Sequence, residues 1–268
     1  MSHDADRHLP LVAFTSLAIA GSGTLAASVV DVRGTGVSPI VGWFGLALLV
    51  AGLVTSTWHL GQRARALMAV RGLLRSPISN EGIIGMLTIG VGVLAVSGAL
   101  GASFGPGLRV TAGALAVVFL VSIGLVYRVG GQLTWSGFST FTPVTSGLAF
   151  GTILVDSLPP PHLVSTITLG AIALDAFVFS QRWRRIAQVC LEHAGALGPA
   201  FERRHEWLAA RFLLLNALPC LSLFVWPTPL AALTAALGIV VDRLGFYGLA
   251  LQYRTEVEID RVERRMEQ

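Results

Sequence analysis

Eight stretches of about twenty apolar residues recur along this chain, and no other feature limits its fold as strongly. Each is long enough to cross a hydrocarbon layer of about 30 Å as a helix. Backbone N–H and C=O groups find no water in lipid, so runs of this kind must close their hydrogen bonds internally, as helices. They lie at about 9–30, 40–59, 82–102, 110–129, 138–158, 162–180, 207–226 and 230–251, and a charged tail follows at 254–268. The expected fold is all-α and integral to the membrane: a single domain, 1–268, built as an eight-transmembrane-helix bundle. Composition agrees, with 53% of residues hydrophobic and 13% charged, where soluble domains carry about 25% charged residues. The first run is not read as a signal peptide, because its front is acidic as well as basic and it exceeds the roughly 7–15 residues of a signal h-region. Gly147-x-x-x-Gly151 and Gly101-x-x-x-Gly105 have the small-residue spacing that lets membrane helices approach closely.

Net charge is +4, and every basic residue is arginine. Arginines beside apolar spans serve orientation and docking, so no nucleic-acid partner is expected. Eight spans put both termini on one side. All the arginines except Arg33 and Arg109 are assigned to that side, including the cluster at 182–185, Arg211 and Arg243. The positive-inside rule makes it the cytoplasmic side. Cys190 and Cys220 are isolated and no C-x-x-C occurs, so neither an iron–sulfur cluster nor another metal site is expected in this chain. A membrane b-haem commonly needs two facing histidines within spans. His59 and His162 fall on opposite faces, and His3, His8, His193 and His205 lie in polar segments, so no haem is expected either.

The segment from Ser56 to Gly82 concentrates the reactive chemistry. His59 closes the second run, Glu81 opens the third, and Arg63, Arg65, Arg71 and Arg75 lie between them. An imidazole and a carboxylate at one membrane face, under arginines, suit a ligand with an apolar body and a proton-exchanging head. A quinone is such a ligand. Histidine, with an ordinary pKa of about 6.5, can hydrogen-bond a quinone oxygen and exchange its proton. Each residue also has a plainer reading. His59 suits an interfacial histidine bonded to a carbonyl, and Glu81 suits a charge at a helix start. Arg65 can hold Glu81 or a quinone oxygen, or face solvent and lipid. Tyr127, Trp135 and Tyr247 can wall a pocket or belong to the interfacial aromatic belts. Asp175 is the one carboxylate well inside a run, which marks it as functional by default, or as the partner of an arginine or hydroxyl near the basic face. The rest of the midplane reads as nearly free of charge and no internal repeat is visible, which weighs against the competing class, a small-molecule or ion transporter.

Four stretches, in order, resemble one family. They are His8-Leu9-Pro10-Leu11 with Phe14-Thr15; His59-Leu60-Gly61, Arg65-Ala66 and Ser79-Asn80-Glu81; Val126-Tyr127 with Thr134-Trp135; and Asp242-Arg243 with Phe246-Tyr247-Gly248. Together they resemble the membrane-anchor subunits of dimethyl sulfoxide reductase-type molybdoenzymes, the DmsC family. The resemblance implies an eight-span anchor in a bacterial or archaeal cytoplasmic membrane, serving anaerobic respiration and binding menaquinone or ubiquinone without haem. It implies two partners, a four-cluster iron–sulfur subunit and a molybdopterin catalytic subunit, and it carries the family's quinone-linked histidine and glutamate onto His59 and Glu81. Arg243 and Tyr247 fall within the last motif, where Asp242 stands at a position the family usually gives to glycine. A topology reporter fused at Gln268 is expected to be active only in its cytoplasmic form; activity of a periplasm-dependent reporter there would reverse the orientation.

Overall fold

The computed structural model describes residues 2–29, 39–59, 76–99, 105–127, 137–158, 165–192, 205–225 and 229–266. Among the described residues all regular structure is helical. In chain order the helices are α1 (Ser2–Val29), α2 (Pro39–His59), α3 (Pro77–Ser97), α4 (Gly105–Val126), α5 (Gly137–Asp156) and α6 (Thr166–Glu192), followed by α7 (His205–Val225) and α8 (Pro229–Met266). α7 contains a wide π turn at Leu213–Ala217. Seven of the eight are long and apolar enough to cross a bilayer; α6 is the exception.

Local chemistry sets several of these ends. Pro77 opens α3 at a position whose N–H would have no helical partner, and Gly98 ends it in the left-handed region at φ 65°. The Ser165 hydroxyl accepts the Thr168 N–H at 3.1 Å and so caps α6. Asp156, at the end of α5, in turn accepts both the N–H and the hydroxyl of Ser165 at 3.0 Å. This carboxylate closes the turn between the two helices.

α1 is the central helix and packs against α2, α4, α5 and α8. Its run Phe14–Ser28 is buried almost all round, as expected of a helix with neighbours on every side. Small residues make that position possible. A Cβ at Gly23 would sit 1.8 Å from the Gly147 carbonyl oxygen, and one at Gly151 would sit 2.1 Å from the Gly23 carbonyl oxygen. The Gly147/Gly151 pair therefore packs against Gly23, backbone on backbone. Gly21 and Gly45 do the same between α1 and α2. Gly105 has open space where its Cβ would be, so the second proposed motif is no packing seam at that residue, and Gly101 lies outside the described residues.

α6 is less apolar than the others because Asp175 and Arg182 interrupt it, and its register explains how it is kept. Thr168, Ile172, Asp175, Phe179, Arg182 and Ile186 recur at alternating spacings of four and three and are all buried. Ile167, Leu174 and Phe177 lie on the other side and are exposed, as a lipid-facing surface requires. Asp175 and Arg182 thus point into the bundle, whereas Arg184 and Arg185, just beyond, are exposed. Gly23→Ala is expected to destabilise the protein by roughly 1–3 kcal/mol through backbone overpacking, and Gly105→Ala by less than about 0.5 kcal/mol. Thermal unfolding in detergent measures the difference, and equal effects would refute the packing assignment.

Candidate functional site: a buried ion network and a tyrosine pair

Two polar arrangements occupy the interior. The first joins α5, α6, α7 and α8. Asp175 is fully buried, and its carboxylate accepts four donors: Thr145 Oγ1 at 2.9 Å, Ser146 Oγ at 2.9 Å, Arg211 at 2.9 Å and Asn216 Nδ2 at 3.0 Å. Arg211 also donates to Asn216 Oδ1 at 2.8 Å and to Ser146 Oγ at 3.1 Å, and its guanidinium lies 4.1 Å from the Phe179 ring centroid. The Nε of Arg211 is 3.7 Å from Asp242 Oδ1, which carries the network on to α8. Asp242 accepts Arg182 at 2.8 Å and pairs with its neighbour Arg243. Phe246 lies against the last two arginines, 5.2 Å from Arg182 and 5.0 Å from Arg243. All five charged residues are at most 6% exposed, so each pair interacts with little screening by water.

The second arrangement lies at the end of the bundle where α1 and α3 begin. The hydroxyls of Tyr127 and Tyr247 hydrogen-bond to each other at 2.5 Å, and the Tyr247 hydroxyl also reaches Thr15 Oγ1 at 3.4 Å. Tyr127, Phe246 and Tyr247 meet edge to face with centroids 5.2–5.6 Å apart, over Val12. Glu81 lies on the buried stripe of α3, with Gly85, Thr88, Gly92 and Ala95. It is 6% exposed, and among the described residues its Oε1 has no hydrogen-bond partner. A buried polar atom left unpaired is rare and needs a reason. Glu81 acts electrostatically on both tyrosines, and so does Arg243, one turn before Tyr247. Glu81, Tyr127, Tyr247 and Arg243 therefore form one polar niche shared by α3, α4 and α8.

The sequence-derived candidates distribute as follows. Glu81, Tyr127, Tyr247 and Arg243 come together. Asp175 lies in the other arrangement, linked to the niche through Arg211, Asp242 and Arg243; its partners are an arginine and two hydroxyls, the plainer of its two readings, with Asn216 added. His59 ends α2, and its side chain lies outside what the structure describes. Arg65 and Trp135 lie outside the described residues. Two expectations need correction. Arg182, Arg211 and Arg243 were counted with the surface arginines that orient the chain, yet all three are buried and paired. The midplane is accordingly not nearly free of charge. Carboxylates on neighbouring helices supply the partners that a reading along one chain does not see. The missed members are Arg182, Arg211, Asn216 and Asp242. One signal was available: Thr168, Asp175 and Arg182 are seven residues apart and so share a helical face.

A multi-pass, all-α membrane protein whose interior charges are paired and whose polar niche lies near one end of the bundle is the class of protein these features define. The sequence model of one family, the DMSO reductase anchor subunit (DmsC), matches residues 5–249, nearly the whole chain, and the chain belongs to that family. It is a membrane anchor subunit. No curated protein matches the chain.

The ion network yields its own test. Removing one member of a buried pair strands the other, at a cost of about 3–5 kcal/mol. Arg211→Met and Asp175→Asn are each expected to lower the thermal unfolding midpoint, and the double variant is expected to lose clearly less than the sum of the two. Strict additivity would show that the pair is not coupled.

Proposed function

We propose that this subunit is the quinone-reactive anchor of a molybdopterin oxidoreductase complex, passing electrons between an iron–sulfur partner subunit and the membrane quinone pool. The observation that carries the reading is Glu81, a buried carboxylate with an unpaired oxygen beside two hydrogen-bonded phenols. Such a niche offers a proton-holding group and hydroxyl donors at the rim of an apolar bundle, as a lipid-soluble ligand with a polar head requires. Menaquinone or ubiquinone bound there supplies two-electron, two-proton chemistry. The residues present fit that ligand.

Each side chain then has a task. Glu81 holds a proton and exchanges it towards the aqueous side. Tyr127 and Tyr247 offer hydroxyls to a ring oxygen, and Thr15 orients the second of them. His59, at the end of α2, hydrogen-bonds a ring oxygen and exchanges a proton. Arg65 compensates negative charge on the head group, and Trp135 packs against the ring. The partners in this reading are a four-cluster iron–sulfur subunit and a molybdopterin catalytic subunit, docked on the arginine-rich face with both termini in the cytoplasm. This chain supplies neither haem nor an iron–sulfur cluster.

His59→Ala is expected to leave assembly and the partner's clusters intact, to slow quinone-linked turnover by about a hundredfold, and to spare turnover with a soluble artificial electron carrier. Glu81→Gln is expected to act in the same direction, more mildly. Unchanged quinone-linked turnover together with unchanged inhibitor binding in His59→Ala would remove that residue from the mechanism.

A further inference from the structure

The interior network is not neutral. Among the described residues it contains three guanidinium groups, on Arg182, Arg211 and Arg243, against two carboxylates, on Asp175 and Asp242. One positive charge is left over in a region that water does not screen, and an unbalanced buried charge is costly. The surplus can be located. At the Asp175 end one arginine, two hydroxyls and an amide saturate the carboxylate. At the other end Asp242 alone serves three arginines, and among the described residues the Nε atoms of Arg182 and Arg211 have no hydrogen-bond partner. That end adjoins the niche: Arg243 packs against Phe246, and Phe246 packs against both tyrosines.

One further carboxylate can balance the surplus from within the niche. Glu81 acts on the same two phenols as Arg243, with opposite sign. The described side chains of α1 and α2, from Leu9 and Pro39 onwards, include no titratable group. Among the described residues, the titratable groups on which Glu81 acts are therefore Tyr127, at the end of α4, and Tyr247 on α8, and Arg243 acts on the same two phenols. With Glu81 ionised, network and niche together sum to zero. With Glu81 protonated, they carry one positive charge, which an anion in the niche would neutralise.

We propose that the niche binds the anionic form of a ring-hydroxyl ligand together with one proton taken up by Glu81, and that Arg243 is the positioning residue that presents the interior charge to the ligand. The ligand's own bonds do not change: it brings one negative charge, a buffer acid in the aqueous phase gives up one proton, which forms an O–H bond on the Glu81 carboxylate, and the sum in the niche and network stays at zero. Reciprocity follows, since whatever favours the protonated carboxylate must favour the anion by the same factor. The proposal rests on the quinone-site reading above and adds to it a preference for charge over neutrality.

The test uses the purified complex and two probes, an alkyl hydroxynaphthoquinone that is ionised at neutral pH and its uncharged methyl ether. Calorimetric titrations in two buffers of different ionisation heat give both the affinity and the protons taken up. The wild type is expected to take up about one proton per bound anion and none with the ether. Glu81→Gln, which stays neutral, is expected to bind the anion at least as tightly as wild type and without proton uptake. Arg243→Gln is expected to weaken the anion by about tenfold relative to the ether, and Arg243→Lys to recover most of that loss. Anion binding without proton uptake in the wild type would overturn the proposal, as would an equal loss of both probes in Arg243→Gln with no recovery in Arg243→Lys. If neither probe binds the wild type, the quinone-site reading itself falls.

Discussion

A guanidinium carries five N–H donors in one plane and no acceptor, and inside a bundle each donor left idle is a penalty. Arg211 meets most of that demand by reaching α5 through Ser146, α6 through Asp175 and its own helix through Asn216, while its Nε lies 3.7 Å from Asp242 on α8 without a hydrogen bond. On a protein surface such pairs contribute little, because water competes for every partner. Here the competition is gone, so the same contacts become obligatory. They hold α6, whose own apolarity is marginal, against its neighbours. The other part of the bundle is held differently. Around α1, glycines bring backbones into contact, and attraction comes from close packing over long seams.

The niche lies where these two modes of cohesion meet. Thr15 belongs to the glycine-packed centre, Glu81 and Tyr127 to the α3–α4 pair, and Tyr247 to the helix that carries Asp242 and Arg243. A ligand there would contact packing and charge at once. The Tyr127–Tyr247 bond ties the end of α4 to α8, so it sets the distance across the niche as well as its chemistry.

The sequence revealed the class of fold because hydropathy is additive along a helix: seven of eight spans are evident from composition alone, and the eighth keeps Asp175 and Arg182 on its buried face. The Gly147/Gly151 seam was legible from spacing, whereas its partner Gly23 was not, since no single-helix pattern states which neighbour approaches. The same limit applied to the arginines. Arg211 and Arg243 stand a few residues from a span's end, where a long side chain can equally extend to the surface. What separates the two outcomes is a carboxylate on another helix, and pairing between helices leaves no mark in a hydropathy window. Asp242 shows the opposite situation. It stands in a stretch that the sequence already marks, and it is the residue on which three arginines converge.

The π turn of α7 sets a limit on chain length as well as on side chains. Arg211 lies just before Leu213–Ala217 and Asn216 within it. In a regular α-helix two residues five apart are separated by about 140° around the axis, which would turn one of them away from Asp175. The wide turn absorbs one extra residue and lets both face the same carboxylate. The turn already holds its one surplus residue, so inserting another would rotate everything before it by about 100° and push it out by about 1.5 Å. Arg211 would leave its partners although every side chain in the network survived unchanged. An insertion there would therefore be as disruptive as replacing a charge, whereas losing one residue would restore a regular turn in which positions four apart stand about 40° apart and still share a face.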